Sequence, residues 1–138
     1  MAAEPPFSVR RLDQVVLRCA RFEQTLAFYQ EVLGCPLERS VEHIGLYQLR
    51  AGEALIDLIP LGSELGGDAA PDISLRNLEH FCLRVELEDW SHLRNHLQQH
   101  DVEWMEPQRR YGADGFGMSV YIQDPEGNTV ELKTGDDT

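Results

Sequence analysis

Positive charge is scarce in this chain: 12 lysines and arginines stand against 24 aspartates and glutamates, for a formal net charge of −12. A nucleic-acid footprint needs clustered basic side chains against the phosphates, so the balance argues against that class of partner. It suits a cationic ligand instead, by steering rather than by chemistry. Cysteine is scarce as well. Cys19, Cys35 and Cys82 make no even-numbered framework and no CxxC pair, which points to a reducing cytoplasm. No apolar run approaches the ~20 residues that cross a bilayer as a helix. Residues 1–11 contain Pro5 and Pro6 but no apolar h-region, so a secretory leader is not expected.

What is present is enough for one folded unit. A chain of 138 residues with 42% hydrophobic content can bury a real core but not two independent ones. Its main feature is an internal duplication. Leu12-Asp13-Gln14-Val15-Val16-Leu17-Arg18 returns as Leu78-Glu79-His80-Phe81-Cys82-Leu83-Arg84. Each copy carries leucine, an acid, a residue able to ligate a metal, three apolar residues and arginine. Each half later reaches an apolar run holding one acid, Ile56-Asp57-Leu58-Ile59 and Val130-Glu131-Leu132.

The periodicity assigns the same plan to both halves. Leu12 to Arg18 reads as a strand. Phe22, Leu26, Tyr29 and Leu33 then follow at helical spacing, with Gly34 as the stop. Strands are expected at Leu37–Val41, Leu46–Leu49 and Ala54–Ile59. Residues 61–77, rich in Gly, Ser, Asp, Pro and Ala, read as a linker. The second half repeats the order. It has a strand at His80–Val85, a helix capped by Asp89 and striped by Trp90, Leu93 and Leu97, and strands at Val102–Met105, Met118–Gln123 and Thr129–Lys133. Asp124-Pro125-Glu126-Gly127-Asn128 reads as the last turn. The expected fold is α+β: a flexible arm over 1–10, then one domain over 11–134 built from two βαβββ modules, 11–60 and 78–134.

Alternate residues of a strand share a face. Val15 and Leu17 lie opposite Gln14 and Arg18, and Phe81 and Leu83 lie opposite His80, Cys82 and Arg84. Asp57 and Glu131 likewise lie opposite their apolar neighbours. All four candidate ligands therefore belong to the face away from the helices, where a pseudo-twofold arrangement would bring them into one cleft.

The paired modules, Phe28-Tyr29-x-x-x-Leu33-Gly34 and Asp124-Pro125-x-Gly127-Asn128-x-x-Glu131-Leu132 resemble the vicinal oxygen chelate superfamily. That resemblance covers residues 11–134 and implies an incomplete barrel around a divalent metal. The ligand pattern is most similar to that of glyoxalase I. It implies metal ligands Gln14, Asp57, His80 and Glu131, with Asp57 one methylene shorter than the family's glutamate. It also implies Arg18 and Arg76 as glutathione-binding arginines, glutathione as cosubstrate, and a homodimer. One imidazole nitrogen and three oxygen donors suit Zn²⁺, Ni²⁺, Co²⁺ or Mn²⁺. An ion so held would stabilise an enediolate, with Glu131 as proton shuttle and Asp57 as a second base. A non-catalytic drug-binding protein of bleomycin-resistance type is the alternative, and the acidic balance fits it. A non-heme iron dioxygenase is a further alternative, but it uses a histidine where Gln14 stands.

Other features read more plainly. His92, His96 and His100 recur at i, i+4 and i+8, and the first two point to solvent relative to the apolar stripe. Gly112-x-x-Gly115-x-Gly117 precedes a strand rather than a helix, so it is no phosphate cradle. It is expected as a mobile loop, offering Arg109, Arg110 and Tyr111 to an anionic or aromatic part of a substrate. Tyr121 is taken as a further substrate contact. Cys82 shares the face of His80, with no partner in the sequence to activate its thiol.

Overall fold

A computed structural model describes residues 6, 8–72 and 74–135. The expected N-terminal arm therefore lies largely outside the described residues. The order of elements is β1 (Gln14–Cys19), α1 (Phe22–Ala27) continued by a π-helical turn (Phe28–Val32), β2 (Leu37–Val41), β3 (Leu46–Ala51), β4 (Ala54–Pro60), β5 (His80–Arg84), α2 (Trp90–Gln99), β6 (Gln108–Gly112), β7 (Gly115–Gln123) and β8 (Thr129–Lys133). They form two four-stranded sheets of identical topology, ordered β1-β4-β3-β2 and β5-β8-β7-β6. In each sheet the first strand pairs parallel with the last and the other neighbours are antiparallel. The sheets close no barrel, and the duplication in the sequence is a duplication in space.

The alternation in β1 and β5 decides which face is covered. Leu17 and Cys19 enter the core with Ile56, Leu58, Val120 and Val130, while the π-helical turn adds Phe28 and Tyr29 and α2 adds Leu97. One core thus spans both modules. It leaves the opposite face of each sheet open, and Val16 on that face is 50% exposed. We call the two open faces the cup faces.

The modules are also joined by polar contacts at the turn between β7 and β8. Gly127 takes φ +81 and its N–H reaches the Asp124 carbonyl at 3.0 Å, so the local turn is the expected one. The acids do more than turn the chain. Asp124 accepts from Tyr29 Oη across the module boundary at 2.6 Å, and from the Glu126 and Asn128 backbone N–H groups and Asn128 Nδ2. Glu126 accepts from the backbone N–H groups of Ala20 and Arg21 and from Thr25 Oγ1. Its carboxylate therefore sits at the amino end of α1, which has no side-chain cap of its own and where negative charge is favoured.

Three expectations change. Val102–Met105 is not a strand; it packs as an irregular apolar segment, and the strand begins later, at Gln108. The glycine-rich stretch is not a loop over the cleft but the β6–β7 hairpin, with β7 starting at Gly115. There Gly117 is demanded by proximity, since a Cβ would lie 2.0 Å from the Thr134 carbonyl oxygen. Gly117→Ala is expected to cost about 1–3 kcal/mol by overpacking, read as a lower denaturation midpoint with unchanged slope. Finally, His96 is not solvated: its Nε2 meets the Val32 carbonyl at 2.8 Å, tying α2 to the π-helical turn. His92 does stay exposed.

Candidate active site

The register of the two sheets places equivalent residues at equivalent points. In module one Val16 pairs with Asp57, and Gln14 stands two residues earlier on the same face. In module two Cys82 pairs with Glu131, and His80 stands two residues earlier. Such diagonal neighbours are within reach of long side chains, and both contacts are made. Gln14 Nε2 donates to Asp57 Oδ2 at 3.0 Å. His80 Nε2 lies 3.2 Å from Glu131 Oε1.

The two pairs differ in character. Asp57 is 1% exposed, and its Oδ2 accepts a second amide hydrogen bond from Gln48 Nε2 at 3.1 Å. Among the described residues its Oδ1 has no hydrogen-bond partner. Burial raises the Asp57 pKa, an effect opposed by the Gln48 hydrogen bond. Asp57 thus faces two glutamines. Because Gln14 spends its amide nitrogen on Asp57, its oxygen is the atom left for another partner. Gln48, which sequence reasoning did not single out, is oriented in turn by Arg39 Nη1, donating to its Oε1 at 3.0 Å. It could have been found from the β3–β4 pairing, where Gln48 stands directly opposite Asp57.

His80 is held at both ring nitrogens. Nδ1 meets Glu79 Oε1 at 2.7 Å while Nε2 meets Glu131, and the Tyr121 ring packs edge-on at 5.2 Å between centroids. Such an imidazole–carboxylate pair can ligate a cation or exchange a proton. Cys82 beside it stays a thiol at neutral pH, its pKa pushed up to about 11 by burial and by the Glu131 charge.

The four expected ligands stand as two contacting pairs, Gln14 with Asp57 and His80 with Glu131. Among the described residues no three histidine, cysteine, aspartate or glutamate side chains gather closely enough to hold an ion, so Asp57 does not join His80 and Glu131. The donor chemistry of the two pairs, one imidazole nitrogen with amide and carboxylate oxygens, is of the kind that fits a divalent cation.

Arg18 and Arg76 do come together, in a cavity of about 240 Å³ that they share with Val16, Leu78, Glu126 and Asn128. Arg18 Nη1 donates to the Ala69 carbonyl at 2.8 Å and Arg76 Nη1 to the Gly127 carbonyl at 2.8 Å. Arg109 and Tyr111 are elsewhere. They pair with Met118 and Phe116, one residue out of phase with Tyr121 and Ser119, and so occupy the face opposite His80. There the Arg109 guanidinium lies 3.6 Å from the Phe116 ring centroid, and Tyr111 is 73% exposed. Arg110 and Tyr121 are the cup-face residues of this hairpin. A larger cleft of about 620 Å³ lies between the segment after α2 and the end of β7. Phe28, Trp104, Met105 and Tyr121 line it together with Asp101 and Glu103.

Comparison with known proteins adds to this geometry. A family model described as Glyoxalase/Bleomycin resistance protein/Dioxygenase superfamily matches residues 11–132. A glyoxalase domain-containing protein of Mycosarcoma maydis is 32% identical over 132 residues, covering 94% of this chain and 71% of that protein. A virulence protein of Salmonella typhimurium is 27% identical over 130 residues, covering 90% of this chain and 83% of its own length. Among solved structures, an integron cassette protein from the mobile metagenome of V. cholerae superposes with a TM-score of 0.75 at 30% identity. That match covers 94% of this chain and 98% of the other.

Proposed function

Since the chain belongs to the Glyoxalase/Bleomycin resistance protein/Dioxygenase superfamily, we infer that it is a glyoxalase-type lyase or isomerase. Its substrate would be a small α-oxygenated carbonyl compound or its thiol adduct. The observation that carries the reading is the diagonal contact repeated in register, His80 with Glu131 and Gln14 with Asp57, on the uncovered face of each sheet. A metal-free sequestering protein has no use for an imidazole–carboxylate pair there.

The two pairs, each taken as half of a site, imply a second copy of the chain. Set against the first, it would bring module one of one protomer to face module two of the other. The half-exposed Val16 and the exposed Leu78 at the rim of the open faces support such a partner. Gln14 through its amide oxygen, His80 and Glu131 are then the ligands proposed for a divalent ion, with Asp57 holding the Gln14 amide from behind. When bound, the ion supplies Lewis-acid stabilisation of charge on two neighbouring substrate oxygens. Glu131 moves a proton between the adjacent carbons, and Glu79 keeps the His80 Nδ1 proton in place. Gln14 is neutral and cannot act as the base. Arg18 and Arg76 would take the carboxylates of a glutathione adduct at the rim.

The test is elemental analysis after purification without a nickel column, followed by assay with the hemithioacetal of methylglyoxal and glutathione. About one ion per chain and measurable turnover are expected. Failure to bind Zn²⁺, Ni²⁺, Co²⁺ or Mn²⁺ would sink the reading. The larger cleft favours one other possibility. Its aromatic wall and two acids suit a cationic aromatic drug, bound without chemistry.

A further inference from the structure

We propose that Arg110 is an anion receptor on the module-two cup face, apart from Arg18 and Arg76 at the rim, and that the substrate carries a carboxylate one aromatic ring away from the His80–Glu131 pair. This deepens the reading above and rests on the cup being the substrate site. Arg110 pairs with Gly117, and Gln108 with Ser119, on the face shared by Tyr121 and Glu131. Its side chain is fixed on two sides. Nη1 donates to both the carbonyl and the hydroxyl oxygen of Ser119 at 2.9 Å each, and Ser119 is fully buried. The guanidinium carbon stands 4.3 Å from the Tyr121 ring centroid, and that ring rests against His80.

The remaining edge is open. Nη2 has only a 3.5 Å hydrogen bond to Gln108 Oε1, and Nε makes no hydrogen bond among the described residues. No acid among them pairs with Arg110, although acids outnumber bases two to one in the chain. Other arginines do find acids: Arg50 pairs with Glu38, and Arg84 with Glu86 and Asp114. Immobilising a long side chain costs rotamer entropy, yet here no ion pair among the described residues offsets it. An Nε–Nη2 edge held in place matches a carboxylate through two parallel hydrogen bonds. A phosphate would call for a second free cation. Lys133, on the same face, spends its ammonium on the carbonyls of Gly115 and Thr134. One open guanidinium edge therefore points to a singly charged carboxylate.

The experiment is an NMR titration of the full-length protein with lactate and mandelate, each against its neutral amide, and with inorganic phosphate. Wild type is expected to bind at least one acid tenfold or more tightly than its amide. Arg110→Gln should bring that acid down to the level of its amide while leaving amide binding in place, and Arg110→Lys should restore only part of the difference. Wild type without an acid preference, or a preference that survives in Arg110→Gln, overturns the proposal. Phosphate binding tighter than both acids, lost with Arg110, overturns the carboxylate assignment. Arg110-dependent acid binding without hemithioacetal turnover would instead count against the glyoxalase-type reading alone.

Discussion

Replacing His80 by alanine is expected to lower turnover by roughly 10²–10⁴-fold, the range for losing a positioned acid, base or ligand, with folding unchanged because His80 is only half-buried. Gln14→Ala should also be impaired. The stronger test is to mix the two. If each site takes module one from one protomer and module two from its partner, a mixed dimer has one site with both lesions and one with none. Refolded together in equal amounts, half the dimers are mixed, and about a quarter of wild-type activity returns. If the four residues instead worked within one chain, every site in the mixture would keep one lesion and no activity would return. Metal stoichiometry should follow activity through the same mixing series, giving a readout independent of the substrate. Glu131→Gln keeps the size of the side chain but removes its charge and basicity; its loss should persist at saturating substrate.

The largest effect on stability is expected at a residue far from this chemistry. Asp124→Ala should cost about 3–5 kcal/mol in chemical denaturation, because it orphans one buried and three half-buried donors at once. Asp124 is 5% exposed and accepts from Tyr29, from two backbone N–H groups and from the Asn128 side chain. Tyr29 is wholly buried, and its pKa is raised by burial and by the Asp124 charge, so its hydroxyl remains a donor that must find an acceptor. Tyr29→Phe removes donor and demand together, leaving Asp124 its other three bonds, and should cost only about 1 kcal/mol. Equal costs for the two variants would show that the turn matters locally and not as a clasp between modules.

The clasp shows where reading along the chain stops. Asp124-Pro125-Glu126-Gly127-Asn128 is legible as a turn because proline, glycine and a short polar side chain act on their immediate neighbours. That the same acids meet Tyr29 and the start of α1, about a hundred residues away, depends on how the modules pack. The position of β6 has a similar cause. Gln108-Arg109-Arg110-Tyr111-Gly112 has no apolar alternation and becomes a strand only because β7 pairs with it, whereas the apolar Val102–Met105 packs without a ladder. Once β6 begins at Gln108, parity moves Arg109 and Tyr111 off the cup face and puts Arg110 on it. The contact of His96 is invisible to a helical stripe, which describes one helix, because its partner lies on the other module.

By itself, then, the sequence determined the duplication, the α+β plan and the strand face that Gln14 and His80 share with the equivalent acid position in each half, Asp57 and Glu131. Each of these follows from short-range periodicity and from the rule that alternate strand residues share a face. Only the tertiary structure decided that Asp57 turns to Gln14 and Gln48, that His80 meets Glu131, and that Arg110 stands beside Tyr121. Those outcomes depend on the placement of one sheet against the other and on cross-strand register, which residues distant in sequence set together and no local pattern encodes.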